Sequence, residues 1–197
     1  PQTGPDDLPP FRNDPRIPLN RALVFIDPGH GGYDYGAIGI GGIQEKEIVL
    51  DISRQVASLL QQQGIRVAMA RDRDFFVSLQ GRTDMANQMR ATIFVSIHAN
   101  AADLNRPEAN GIETYYHASG AALARSIHTS IMQSLPYMNN RGVRQARFYV
   151  LRNSRMPSVL VETGFVTGNQ DASLLSDRQW RSQMAAAIVR GILNYFR

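Results

Sequence analysis

Short apolar runs alternate with helical apolar stripes along most of this chain. The runs are rich in β-branched and aromatic residues and are bounded by Gly, Pro, Asn or charged residues, which is typical of β-strands. They cover residues 22–26, 65–70, 93–97, 112–116, 148–151 and 159–161. This alternation predicts an α/β fold, in which a six-stranded, mostly parallel sheet is flanked by helices on both faces.

The helical stripes are also regular. Apolar residues from Ile48 to Leu60 share one helical face, and Gly64 follows as a stop signal. Similar stripes predict helices at 123–135 and 180–195, and a weaker pattern predicts one at 79–90. A chain of 197 residues with 43% hydrophobic content is long enough for one substantial core, so we expect a single domain.

The first 20 residues differ in composition from the rest. Residues 1–20 are rich in Pro, Asp and Asn and show no hydrophobic period, which predicts a linker or tail. The folded domain is therefore expected to span residues 21–197. Pro1 is not followed by the charged and apolar regions of a secretory signal, so we expect any signal peptide to lie outside this sequence.

Composition excludes several classes of site. The chain has no cysteine, which rules out thiolate metal sites, disulfides and cysteine nucleophiles. No run of about 18 apolar residues occurs, so no membrane span is expected. The net charge of +4 comes mainly from arginines spread along the chain. This favours an anionic partner, such as a carboxylate-bearing polymer, over nucleic acid.

Side chains suited to metal binding or acid–base chemistry follow several of the expected strands. His30 lies in DPGHGG after the first strand, His98 ends the third, and Glu162 ends the last in VLVETGF. Glu45 stands at the start of the first helix. Because ligands of open α/β sheets bind at the carboxyl ends of the strands, we expect all four side chains at one edge of the sheet.

Each of these residues also has a purely structural interpretation. A strand-end histidine can simply be hydrogen-bonded, Glu45 suits a helix N-terminus, and Glu162 could pair with an arginine. Together, two histidines and two glutamates at one edge favour a catalytic zinc site with an open water position. His117 is a weaker candidate for the same edge, and His128 is interpreted as a surface or packing residue.

Several sequence motifs occur in a fixed order. FIDPGHGGYDYGAIG, QEKEIVLDIS, FVSIHANAA, GIETYYH and PSVLVETGFVT resemble the successive motifs of the zinc-dependent N-acetylmuramoyl-L-alanine amidases, which cleave peptidoglycan. The resemblance extends from about Ala22 to the C-terminus. It implies that one Zn²⁺ per chain is bound by His30, Glu45 and His98. It also implies that Glu162 is the catalytic carboxylate.

The resemblance implies a substrate and a location as well. The expected reaction is hydrolysis of the amide between the lactyl group of N-acetylmuramic acid and L-alanine of the stem peptide, in the periplasm or cell envelope. Arg71, Arg73 and Arg82 are candidates for binding the carboxylates of that peptide. Some periplasmic members of the family carry a helix insertion, after the strand matching GIETYYH, that plugs the zinc site. Here a turn and a helix follow at once, so no protein activator is expected.

Two alternative functions stay open at this point. One is a different zinc peptidase or deacylase that acts on the same polymer. The other is a non-catalytic wall-binding module that has kept the fold. Such a module would be free to lose any one of the four site residues, and none is missing.

Overall fold

A mixed sheet forms the centre of the computed structural model, which describes residues 18–197. Its strands are β1 (Leu23–Pro28), β2 (Arg66–Met69), β3 (Ile93–Asn100), β4 (Ile112–His117), β5 (Asn140–Gln145) and β6 (Ser158–Phe165). They lie in the order β2-β1-β3-β6-β4-β5. The first four in this order are parallel, whereas β4 runs antiparallel to β6 and β5 is parallel to β4. The single α/β domain with a six-stranded, mostly parallel sheet is confirmed.

Helices cover both faces of the sheet. They are α1 (Glu45–Gln62), α2 (Leu79–Gln88), α3 (Ala121–Ser134), α4 (Tyr149–Arg152), α5 (Asp171–Ser176) and α6 (Arg178–Tyr195). The larger core packs α1, α3 and α6 against one face, which includes Val95 and Val161. A smaller core packs α2 and α4 against the other face, on Phe94 and Leu160. Side chains alternate between the two faces of a strand. We call the face that packs against α1, α3 and α6 the first face, and the face that packs against α2 and α4 the second face.

One of the six expected strands is wrong. Residues 148–151 do not form a strand, because Tyr149–Arg152 is a single helical turn. Val150 and Leu151 are buried in the smaller core, so their apolar character reflects packing of this turn on the second face of the sheet. A four-residue apolar run has no periodicity that separates a strand from a buried helical turn.

The apolar pattern of the sequence does not predict the actual fifth strand, β5. Its sequence, NRGVRQ, contains a single apolar side chain other than glycine, and its residues are exposed or half-buried. β5 is an edge strand that pairs only with β4 among the described residues, so it contributes little to either core. Edge strands often carry charged residues, which removes the apolar signal of a strand.

The N-terminal tail lies largely outside the described residues. The prediction of a linker over residues 1–20 concerns a segment of which only Pro18 onward is described, and Leu19–Arg21 form a short 3-10 turn. The boundary between residues 20 and 21 therefore stays a prediction. Within residues 18–197, no helix combines the length and apolar character needed to cross a lipid bilayer.

Candidate metal centre

Three ligand-bearing side chains meet on the second face, at the carboxyl ends of β1 and β3. His30, Glu45 and His98 each offer one nitrogen or oxygen atom, and these three atoms lie within 4.8 Å of one another. The Glu45 carboxylate lies between the imidazoles, with Oε2 at 3.1 Å from His30 Nε2 and Oε1 at 3.0 Å from His98 Nδ1. The fold therefore brings together the three residues for which the sequence predicts zinc binding.

The glycines of the DPGHGG segment make room for this arrangement. His30 has a backbone φ of 61°, which is unusual for a residue other than glycine. A Cβ atom at Gly29 would overlap the ring of His98, and one at Gly36 would overlap both His30 and Glu45. Gly36 also has a φ of 66°. The glycine-rich loop thus allows the backbone to approach the two imidazoles closely.

Asp34 orients the first imidazole. Its carboxylate Oδ2 lies 2.9 Å from His30 Nδ1, which leaves Nε2 facing Glu45. A carboxylate on the outer nitrogen of a histidine is the usual arrangement around metal-binding histidines, because it fixes the tautomer and the ring orientation. The sequence interpretation missed Asp34, although it stands only four residues after His30 in the same motif.

Glu45 is held as an anion. Its oxygens accept hydrogen bonds from the backbone N–H groups of Ala37 and Ala99. Burial opposes the charged form, but bonding to His30 and His98 outweighs it, so the pKa of Glu45 lies far below its usual range. Burial also opposes a charge on His98, yet the Glu45 carboxylate raises the pKa of His98 to about 9. The centre therefore favours positive charge beside Glu45.

Glu162 stands next to this group, because β6 pairs Glu162 with His98 of β3. Its Oε2 is buried and has no hydrogen-bond partner among residues 18–197. Burial raises the pKa of Glu162 to about 7, with His98 opposing and the Glu45 and Glu113 carboxylates adding to the shift. A carboxylate with a pKa near neutrality can both accept and donate a proton at physiological pH.

A cavity of about 370 Å³ opens onto these side chains. Its floor includes His30, Glu45, His98 and Glu162. Its walls are mainly apolar and come from the segments before α2 and α4, including Phe76 and Phe148. A concave, largely apolar site with a few convergent polar groups is what a small-molecule or polymer segment needs for binding.

The three candidate arginines differ in their positions. Arg71 is buried and does not line the cavity, so the prediction that it binds substrate carboxylates is wrong. Arg82 is also buried but lines the cavity, and its role in substrate binding stays a prediction. Arg71 donates to the carbonyls of Pro28, Gly29 and Lys46. Arg73 is 77% exposed, and its role in substrate binding stays a prediction.

Arg82 holds the loop that carries His30. Its guanidinium pairs with the buried Asp27 at 2.8 Å and donates to the carbonyls of Pro28 and His30 at 2.6 and 2.7 Å. Asp27 also accepts a hydrogen bond from Ser96. This buried network fixes the backbone of His30 in its uncommon conformation.

The two remaining histidines lie away from the centre. β4 runs antiparallel to β6, so His117 at its end pairs with Ser158 at the start of β6. The expectation that His117 could reach the same edge is therefore wrong. His128 is buried on α3 and hydrogen-bonds with Thr114 and Asn140, which agrees with the interpretation as a packing residue.

The same reversal of β4 brings an unexpected carboxylate to the site. Glu113, near the start of β4, pairs with Glu162 in the sheet register. It is buried and forms ion pairs with Arg144 and Arg141. The sequence interpretation missed Glu113, because a fully parallel sheet would place the start of this strand at the opposite edge.

Two histidines and two buried glutamates thus meet near the carboxyl ends of the strands of an α/β sheet. This arrangement is typical of a metal-dependent hydrolase. Comparison with known proteins defines the family further. Residues 24–194 match the Amidase_3 family model, described as N-acetylmuramoyl-L-alanine amidase. The chain therefore belongs to the N-acetylmuramoyl-L-alanine amidase family, as the motifs of the sequence predict.

Individual relatives agree with this assignment. The chain is 43% identical over 190 residues to the N-acetylmuramoyl-L-alanine amidase LytC of Bacillus subtilis, an alignment that covers 94% of this chain but only 38% of LytC. The solved structure of the amidase AmiC2 of Nostoc punctiforme superposes with a TM-score of 0.87 at 55% identity and covers 88% of this chain and 96% of that one. The CwlD amidase of Clostridioides difficile, solved in complex with the GerS lipoprotein, gives 0.84 at 28% identity, with 88% and 98% covered.

The buried Arg82–Asp27 pair generates a prediction about stability. Arg82→Ala removes the charge partner of the buried Asp27 and the hydrogen bonds to the carbonyls of Pro28 and His30, so we expect a loss of about 3–5 kcal/mol in the free energy of unfolding. Urea denaturation followed by the fluorescence of the single tryptophan, Trp180, measures this in the presence of a chelator, so that altered metal binding does not contribute. The exposed Arg73→Ala is the control and should change stability by less than about 0.5 kcal/mol. Equal stability of the two variants would contradict the role of Arg82.

Proposed function

We propose that this chain hydrolyses the amide bond between the lactyl group of N-acetylmuramic acid and L-alanine of the peptidoglycan stem peptide, with one Zn²⁺ bound by His30, Glu45 and His98. The observation that carries the proposal is the convergence of these three side chains beside the buried Glu162. Family membership supports the same reaction. Because the chain spans only 38% of LytC, the activity of any longer protein that contains it belongs to the proposal as well.

The donor set fits zinc. Two imidazoles and one carboxylate with an open position are a common ligand set of catalytic zinc sites, and the chain has no cysteine that would favour a closed structural site. Asp34 supplies the outer carboxylate that such histidines usually have. When bound, zinc acts as a Lewis acid toward an amide carbonyl and makes water more acidic.

Residues of the chain itself transfer the proton, position the metal ligands and limit the access of water. Glu162 accepts a proton from the attacking water and returns it to the leaving nitrogen of L-alanine, a role that suits its buried carboxylate with a pKa near 7. The backbone N–H groups of Ala37 and Ala99 keep Glu45 in place, and Asp34 keeps His30 in place. The apolar walls around Phe76 and Phe148 limit the access of water to the reacting groups.

Product analysis separates this proposal from its alternatives. Only an amidase releases an intact stem peptide that begins with L-alanine, whereas another zinc peptidase or a deacylase leaves different ends. A non-catalytic wall-binding module would release nothing. The presence of all four residues, in one cavity, favours catalysis over simple binding.

We also propose that the centre is accessible without a protein activator. Only Ala118–Gly120 connect β4 to α3, and this connection begins at the edge of the sheet opposite Glu162. It is too short to form a helix that reaches the zinc ligands. The CwlD relative was solved with a lipoprotein, so a partner is known for at least one similar amidase.

The cell envelope is the proposed location. Peptidoglycan lies outside the cytoplasmic membrane, and similar proteins are named N-acetylmuramoyl-L-alanine amidase or probable cell wall amidase. The periplasm is the compartment that we propose.

The first prediction for this function concerns the metal. We expect one zinc per unaltered chain by elemental analysis and a clear loss of zinc in His98→Ala, because a direct ligand is removed. Asp34→Ala should still bind zinc, with an affinity lowered by roughly 10- to 100-fold in a chelator competition. His117→Ala is the control and should keep its zinc, since His117 lies at the other edge of the sheet. Stoichiometric zinc in His98→Ala would contradict the proposed ligand set.

The second prediction concerns proton transfer. Glu162→Gln keeps the size of the side chain but removes its capacity to accept a proton, so hydrolysis of dye-labelled peptidoglycan should fall by about 10²- to 10⁴-fold while zinc content stays the same. Glu47→Gln, an exposed position in the first turn of α1, is the control and should retain full activity. Turnover near normal in Glu162→Gln would place the base elsewhere.

The third prediction tests the open site. The chain from Pro1 and a shortened chain from Arg21 should both hydrolyse purified peptidoglycan without a partner protein. If both are inert until a partner is added, the open-site proposal is wrong. If only the longer chain is inert, residues 1–20 act as a lid over the cavity.

A further inference from the structure

A cationic cluster lies two strands beyond Glu162, on the same face of the sheet. Tyr115 of β4 pairs with Arg144 of β5, and Glu113 stands two residues before Tyr115, so the three side chains share the second face. Arg144 Nε lies 3.0 Å from Glu113 Oε1. Arg141 Nε lies 3.7 Å from Glu113 Oε2. We call Glu113, Arg141 and Arg144 the β5 cluster.

The β5 cluster carries more positive than negative charge. Two guanidinium groups share the single carboxylate of Glu113, which leaves one positive charge without a counterion inside the cluster. Arg141 is partly covered, with its guanidinium over the ring of Phe165 and its Nε without a hydrogen-bond partner in the part of the chain that is described. Arg144, by contrast, is 59% exposed. Outside the cluster, the Asp171 carboxylate interacts electrostatically with Arg141. The guanidinium of the cluster that faces solvent is therefore that of Arg144.

Arg144 keeps donors for a ligand. Its contacts within residues 18–197 are the Glu113 ion pair through Nε and a 3.4 Å hydrogen bond from Nη2 to the Arg141 carbonyl. A guanidinium has five N–H groups in a rigid fork that matches a carboxylate. Nη1 therefore remains available, and Glu113 fixes the direction of the fork.

Two aromatic rings lie between the cavity of the metal centre and the β5 cluster. Phe148 lines that cavity and also packs edge-on against Tyr115, with ring centroids 5.1 Å apart. Burial and the Glu113 carboxylate raise the pKa of Tyr115 to about 12, so this phenol stays neutral. Tyr115 also hydrogen-bonds with Glu113, so Phe148 and Tyr115 connect the wall of the cavity with the β5 cluster.

Resting on the proposed function, we infer that Arg144 binds the carboxylate of the stem-peptide residue that follows L-alanine. Neighbouring strands are about 4.8 Å apart, so the guanidinium lies between one and two strand spacings, or roughly 5–10 Å, from the Glu162 carboxylate. Consecutive Cα atoms are 3.8 Å apart, which places that carboxylate about 6–7 Å from the scissile nitrogen. The two ranges overlap, which is compatible with a substrate whose peptide side lies toward β5.

The test uses two synthetic muramoyl dipeptides that differ in one group. One carries a free α-carboxylate on the residue after L-alanine, and the other carries a carboxamide there. The unaltered chain should hydrolyse the carboxylate form with a kcat/KM about 10-fold higher, as expected for one charge-assisted contact at a partly exposed site. Arg144→Gln should bring this ratio to about 1, chiefly by slowing the carboxylate form, with zinc content unchanged.

Two further variants make the result specific. Arg144→Lys keeps the charge but not the fork, so it should give an intermediate ratio. Arg125→Gln, on the exposed side of α3, should keep the ratio of the unaltered chain. A merely structural role of Arg144 would slow both substrates equally.

The outcomes separate the inference from the proposed function. A ratio near 1 for the unaltered chain, or the same ratio in the unaltered chain and Arg144→Gln, would overturn the role of Arg144 while the amidase activity stands. Failure of the unaltered, zinc-loaded chain to cleave either dipeptide or peptidoglycan would overturn the proposed function and, with it, this inference.

Discussion

The carbonyl groups of the loop from Pro28 to His30 impose the main constraint on the site. This loop turns away from the sheet inside the protein, where backbone carbonyls without partners are costly. Arg71 and Arg82 are buried beneath it and donate to its carbonyls, and Asp27 balances the charge of Arg82. Two arginines are thus used inside the protein so that one imidazole can be held in a left-handed backbone conformation.

The direction of β4 is the second feature on which the site depends. If β4 were parallel to β6, His117 would lie beside Glu162 and Glu113 would lie at the far edge. The antiparallel pairing exchanges them and gives Glu162 a carboxylate neighbour rather than an imidazole. That neighbour adds to the raised pKa of Glu162 and positions Arg144. One strand reversal therefore affects both proton transfer and the proposed peptide contact.

Sequence patterns predicted the parallel part of the fold well and the antiparallel part poorly. The buried strands β1, β3 and β6 have near-continuous apolar runs, and the residues at their ends, His30, His98 and Glu162, were found by this rule. β5 lies at the edge and lacks such a run, whereas the apolar run at 148–151 predicts a strand but forms the helical turn Tyr149–Arg152. The local periodicity of a strand does not depend on its direction. The sequence therefore does not predict that β4 is antiparallel to β6, nor that Glu113 lies beside Glu162.

Net charge was informative about the kind of partner but not about where it binds. The formal charge of +4 predicts an anionic partner, yet two of the arginines that are candidates for binding it, Arg71 and Arg82, are buried. A buried guanidinium that already donates to carbonyls has little left for a ligand, whereas a guanidinium at an open strand edge keeps its outer donors. Recognition of an anionic partner therefore depends on which arginines keep outer donors for it. Arg144 keeps them, because it is largely exposed and uses only Nε for Glu113 and Nη2 for the Arg141 carbonyl.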